Sequence, residues 1–239
     1  MPAARRHIIT ITTTMTTPIP ETALLRLLAW LSPAFPTGGF AYSQGIEWAV
    51  EAGSITDGAS LHAWLADMLA AGSGFSDAVL LRLAHAAHDD PARLGAIAEL
   101  AAACAPARER LAESENQGSA FVLALRAWAL QDGPFPALPA KCAYPVAVGA
   151  ACGAAGITAD LACLGFLQAV TANLISAAVR LVPLGQSAGL AVLAALEEGI
   201  AATAAASRTA GEEDLGGFAF AADIAAMRHE TQYTRLFRS

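Results

Sequence analysis

Apolar residues recur at three- and four-residue intervals from position 20 onward, the period of one helix face, with no strand-like alternation beyond the leader. Residues 21–31 carry Leu24, Leu25, Leu27, Leu28 and Leu31, which predicts a buried helix ended by Ser32 and Pro33. A turn rich in proline and glycine follows, and Ser43 is placed to cap a short helix through Glu51, closed by Gly53. Asp57 caps the next helix, whose Leu61, Trp64, Leu65, Met68 and Leu69 form an apolar stripe ahead of Gly72 and Gly74. Residues 76–88 and 91–104 read as a helical pair. Asp89 and Asp90 separate them, and Pro91 falls in the first turn, where its missing N–H does no harm.

Residues 108–130 predict a long helix anchored by Leu111, Phe121, Leu125 and Trp128, and the Gly133-Pro134-Phe135-Pro136 loop after it is the best internal boundary. Two Ala/Leu-rich helices, 141–155 and 158–180, meet at Gly156 with Thr158 as an N-cap, and both are expected to be deeply buried. Pro183 starts one helix running to about Ser207, followed by a charged loop, 209–217, expected to be mobile, and a short last segment. There is no internal repeat or heptad run. The expected fold is therefore all-α, a single compact bundle of about ten helices over 20–239 behind a disordered leader, 1–19.

Composition sharpens this picture. The chain is 55% hydrophobic but only 7% aromatic, and alanine makes up roughly a quarter of it, so its apolar surplus is small side chains suited to close helix packing. A net charge of −7 argues against nucleic acid or anionic lipid as a partner. Lys141, the one lysine, precedes Cys142, which excludes a GK[ST] phosphate loop. Cys104, Cys142, Cys152 and Cys163 contain no CxxC pair and read as small core residues in a reducing compartment. The leader has Arg5-Arg6 and a Thr-rich run but no apolar signal region, so a cytoplasmic protein is expected, with Met15 an alternative start to Met1. Residues 161–184 approach membrane-spanning length, but Gln168, Asn173, Arg180 and Pro183 interrupt them, and no span is expected.

Catalytic chemistry finds little support. There is no GxSxG elbow, the five histidines are scattered, and no triad can be named. His85 and His88, three apart on one helix beside Asp89 and Asp90, are the nearest approach to a metal pair, with a solvated helix end as the plainer reading. Glu197-Glu198 and Glu212-Glu213-Asp214 read as solvated surface.

Three segments differ in character. SPAFPTGGFAYSQGIEWAVE, 32–51, crowds prolines, glycines, Phe40, Tyr42 and Trp48 into one turn-and-helix unit: a packed corner or an aromatic docking ridge. LVPLGQSAG, 181–189, reads as a helix corner, with Gln186 available to exposed backbone. The terminus MRHETQYTRLFRS interleaves Arg228, Arg235 and Arg238 with Tyr233, Leu236 and Phe237, the residue types of interface hot spots, which favours partner docking over packing on its own domain.

In order and spacing these three segments resemble the signatures of the urease accessory protein UreF family, over about 24–239. Arg110, Glu113-Ser114 and Gln117-Gly118 resemble a further, looser family segment that carries no assigned role. The resemblance implies an all-helical, non-enzymatic, dimeric factor that joins UreD (UreH) and recruits the GTPase UreG. That assembly delivers nickel to the urease apoprotein in a nickel- and GTP-dependent pathway, and the family is proposed to gate GTP hydrolysis and relay nickel without storing it. No metal or cofactor is expected on this chain. Tyr233, Arg235, Leu236, Phe237 and Arg238 match the family's UreD-ordered tail, and Tyr42 matches a tyrosine of the UreG-recruiting surface. Two alternatives remain at this level: a metallochaperone binding nickel through His85, His88 or His229, and a small-molecule-binding domain whose pocket is lined by the crowded turn.

Overall fold

Helix starts and stops follow local chemistry in a computed structural model that describes residues 21–128 and 137–239. The expected leader and the Gly133–Pro136 boundary loop lie outside those residues. Among the described residues there are eleven α-helices: α1 (Glu21–Trp30), α2 (Ile46–Glu51), α3 (Gly58–Ala71), α4 (Ser73–Ala86), α5 (Pro91–Ala103), α6 (Arg108–Trp128), α7 (Tyr144–Ala154), α8 (Ala159–Leu181), α9 (Gln186–Ala195), α10 (Glu197–Ala206) and α11 (Phe220–His229). The all-α expectation holds.

Asp57 accepts from Ser60 N at 2.8 Å while Ser60 Oγ accepts from Asp57 N at 3.0 Å, a reciprocal cap on α3. Asp90 caps α5 through Arg93 N at 3.0 Å, with Pro91 in the first turn.

Two boundaries depart from expectation. Helix α4 begins at Ser73, so Gly74 lies inside its first turn, where a Cβ would stand 2.9 Å from Leu69 Cα; the glycine is there for close approach to α3 rather than as a stop. The helix expected from Pro183 starts at Gln186 and divides at Leu196. Leu196 N–H is shared between the Val192 and Leu193 carbonyls, both at 3.1 Å, which tightens that turn and drives its side chain into the core at 1% exposure. No proline or glycine marks the break.

Helices α4, α7 and α8 form the centre, and α7 is buried from Pro145 to Cys152. Small residues make this possible. Gly149 and Gly153, four apart on α7, face the Leu81 and His85 carbonyls of α4; a Cβ at either would lie 2.2 or 2.6 Å from them. Phe121 ties α6 to α1 and α7 through Trp30 and Tyr144, with ring centroids 6.4 and 5.7 Å away. Cys142, Cys152 and Cys163 are buried and unpaired, and burial pushes the Cys142 and Cys152 thiols up to about 12.

Two stretches, 159–181 and 186–206, are long and apolar enough to cross a membrane by length and composition. Helix α8 spends that apolarity in the bundle, where it packs on α4, α7, α9 and α10.

Candidate functional site

The crowded turn is held from behind by α8. Asn173 Nδ2 donates to Gly39 O and Arg180 Nη2 donates to Phe40 O, both at 2.9 Å, fixing a short 3-10 turn over Gly39–Ala41. The chain then passes through two left-handed residues, Gln44 (φ 56°) and Gly45 (φ 81°). Gly45 cannot be replaced cheaply, because its Cβ would stand 2.6 Å from Ala226 N; α11 rests on this glycine.

Beyond α11 the chain folds back over the same turn. Leu236 N and Phe237 N donate to the Glu47 carboxylate at 2.6 and 2.9 Å. Arg238 N donates to Ala41 O at 2.9 Å, and Ser43 donates to Ser239 O through its N–H, at 2.9 Å, and through its hydroxyl. These bonds flank Tyr42, whose extended backbone (φ −123°, ψ 142°) presents Ala41 O and Ser43 N–H to the tail.

Three carboxylates anchor this arrangement. Glu47, in the first turn of α2, also lies with its Oε2 3.2 Å from His229 Nε2. Glu109 of α6 lies with its Oε2 2.7 Å from His229 Nδ1 and pairs with Arg235 at 2.6 Å. Glu113, 2% exposed, accepts from Ser239 Oγ at 2.6 Å, Gln117 Nε2 at 3.0 Å and Gln44 Nε2 at 3.2 Å, and pairs with Arg110. A buried carboxylate without such donors would cost several kcal/mol, roughly the 3–5 kcal/mol lost when one partner of a buried pair is removed. Packing seals the tail: Phe237, 4% exposed, lies under the Arg180 guanidinium, 4.4 Å from its ring centroid.

The residues singled out in the sequence therefore separate into two groups. Tyr42 and Phe237 are buried, Tyr42 beneath the tail pairing with Asn116 Nδ2 3.4 Å from its hydroxyl. Tyr233, Leu236 and Arg238 are exposed, as is Arg235 outside its pair with Glu109. Beside them the exposed side chains Phe220, Ile224 and Met227 occupy one face of α11 at intervals of four and three, and Phe218 packs on Phe220 at 5.6 Å. The 181–189 segment is a corner in which Gly189 packs against Ile175 and Val179 and Gln186 is exposed as it opens α9.

His229, offered in the sequence as a metal ligand, has both ring nitrogens on carboxylates. His85 Nε2 lies 2.7 Å from Ile157 O, and His88 Nδ1 lies 3.0 Å from His85 O. Among the described residues no three His, Cys, Asp or Glu side chains gather as metal ligands. A 260 Å³ cavity lies between the start of α4, the α5–α6 junction and Gly216-Gly217, with no lining residue from 32–51. Asp77, Asp223, Cys104 and Arg110 line it. Burial pushes Asp77 up to about 7 against the attraction of Arg110, with repulsion from Glu113 adding to the rise. Asp223 is raised by burial too.

Sequence reasoning gave no role to Glu47, Glu109 or Glu113, and read Ser43 as the cap of α2, a position that Gly45 occupies while Ser43 holds Ser239. Glu47 carried one signal: it is a lone carboxylate between Ile46 and Trp48, both apolar. Arg110 and Glu113, left without a role, are the pair on which Ser239 closes.

The geometry defines an all-helical protein whose C-terminal tail is fastened to its own N-terminal turn. The chain belongs to the UreF family of urease accessory proteins: the UreF family pattern matches residues 55–197. Relatives named urease accessory protein UreF agree over nearly their whole length. That of Bradyrhizobium sp. (strain BTAi1 / ATCC BAA-1182) is 53% identical over 232 residues, covering 93% of this chain and 95% of its own. Those of Rhizobium leguminosarum bv. viciae and Rhodopseudomonas palustris (strain TIE-1) are 52% and 54% identical, each over 91% of this chain and over 96% and 92% of their own.

Proposed function

We propose that this chain is a cytoplasmic, non-catalytic docking subunit of urease maturation, which joins UreD (UreH) and recruits UreG to the urease apoprotein for GTP-dependent nickel insertion. The observation that carries this reading is the tail. Its backbone from Leu236 to Ser239 is held by Glu47, Ala41 and Ser43, while Tyr233, Leu236 and Arg238 face outward. Exposed aromatic and arginine side chains on a pre-ordered backbone are what a high-affinity protein contact needs, because little ordering entropy is left to lose on binding. Tyr42 and Phe237 support the surface from beneath. Exposed Leu24, Leu25 and Leu28 on α1 favour self-association into a dimer.

Co-expression with UreD and UreG of the same organism, read by size exclusion with light scattering with and without GTP and nickel, tests this. A stable ternary complex containing paired copies of this chain is expected. A folded chain that elutes alone in every condition would overturn the reading.

A further inference from the structure

Two of the tail's anchors are joined by one side chain. His229 is fully buried, at 0% exposure, with Nδ1 2.7 Å from Glu109 Oε2 and Nε2 3.2 Å from Glu47 Oε2. An ionised carboxylate only accepts hydrogen bonds, so both contacts are bonds only when both ring nitrogens carry hydrogen. The same two carboxylates hold the tail: Glu47 Oε1 receives Leu236 N, its Oε2 receives Phe237 N beside the His229 contact, and Glu109 Oε1 receives Arg235.

We propose that His229 is the positioning residue of the docking tail: as an imidazolium with both N–H groups engaged, it bridges Glu47 and Glu109 and aims their free oxygens at Leu236 and Arg235. The inference rests on the docking reading above only for its biological consequence. Local charge closes on this arrangement, since two carboxylates from α2 and α6 face one imidazolium and one guanidinium from the C-terminal segment. The Arg108–Glu230 pair flanks the cluster, with Glu230 also capping α6 through Arg108 N at 2.8 Å. A neutral imidazole would turn a bare nitrogen toward one carboxylate, and the oxygens serving the tail would lose their fixed aim. His229 thus acts through the two glutamates and touches no partner itself.

The test uses the full chain. With ring-labelled histidine, nitrogen NMR at neutral pH is expected to show both His229 nitrogens protonated and slow to exchange. His229→Gln, which offers one amide donor group and no charge, is expected to speed amide exchange at Leu236 and Phe237 by about 10- to 100-fold while amides of α7 keep their protection. Glu109→Gln, at the more exposed end of the cluster, is expected to loosen Arg235 through Phe237 in the same sense and serves if His229→Gln does not fold. Either a bare ring nitrogen alongside a protected tail, or unchanged tail exchange in the variants, would overturn the proposal. A loosened tail that still captured UreD with undiminished affinity would uphold the positioning role and sink the docking reading instead.

Discussion

Replacing Asp77 with asparagine should remove the pH trend of stability that this half-buried carboxyl imposes. Asp77 lines the 260 Å³ cavity beside Arg110, and burial moves it from an ordinary 3.8 up to about 7. In the unfolded chain it releases its proton near 3.8, so between about pH 4 and 7 the folded state binds more protons than the unfolded one. Its contribution therefore falls as pH rises through that window. With those two values the loss between pH 5 and pH 8 is about 2–3 kcal/mol. The substituted amide has no proton to lose. Urea denaturation of wild type and Asp77→Asn at pH 5 and pH 8 should show the stability difference moving in the variant's favour by about that amount. Parallel pH profiles for the two proteins would refute the reasoning and place the carboxylate in contact with water.

Gly149→Ala forces a methyl to within 2.2 Å of Leu81 O, so the α4–α7 crossing must open at a cost of roughly 1–3 kcal/mol or more, read as a lower midpoint in urea. Phe237→Ala removes the ring under Arg180; amide exchange of the tail should rise while the melting temperature, set by the α4–α7–α8 core, stays within a few degrees. Cys142 and Cys152, both held up to about 12 by burial, should resist a thiol reagent in the native protein, while half-buried Cys104 reacts first. Rapid modification of all four without denaturant would contradict the packing.

Much of the fold was legible because helix period, caps and breakers are local. Asp57, Asp90 and Thr158 mark true helix starts. The division at Leu196 was not legible, because it arises from a shared hydrogen bond inside an apolar run rather than from a breaker residue. The site divides similarly. The crowded turn and the arginine-aromatic terminus announce themselves by composition, but their union does not. Glu47 meets Phe237 across 190 positions, and it does so through backbone amides, which leave no trace in residue identity. His229 reaches its two glutamates across 120 and 182 positions. Nothing in the residue string distinguishes a histidine bound to carboxylates from one awaiting a metal.

The docking claim stands or falls on the tail. Affinity for UreD should be measured for the intact chain and for a chain ending at Thr231, with circular dichroism as the control for folding. The account predicts that the shortened protein keeps its helical spectrum and loses detectable UreD binding. If it remains folded and binds UreD as tightly as the intact chain, the tail is not the docking surface and the account fails.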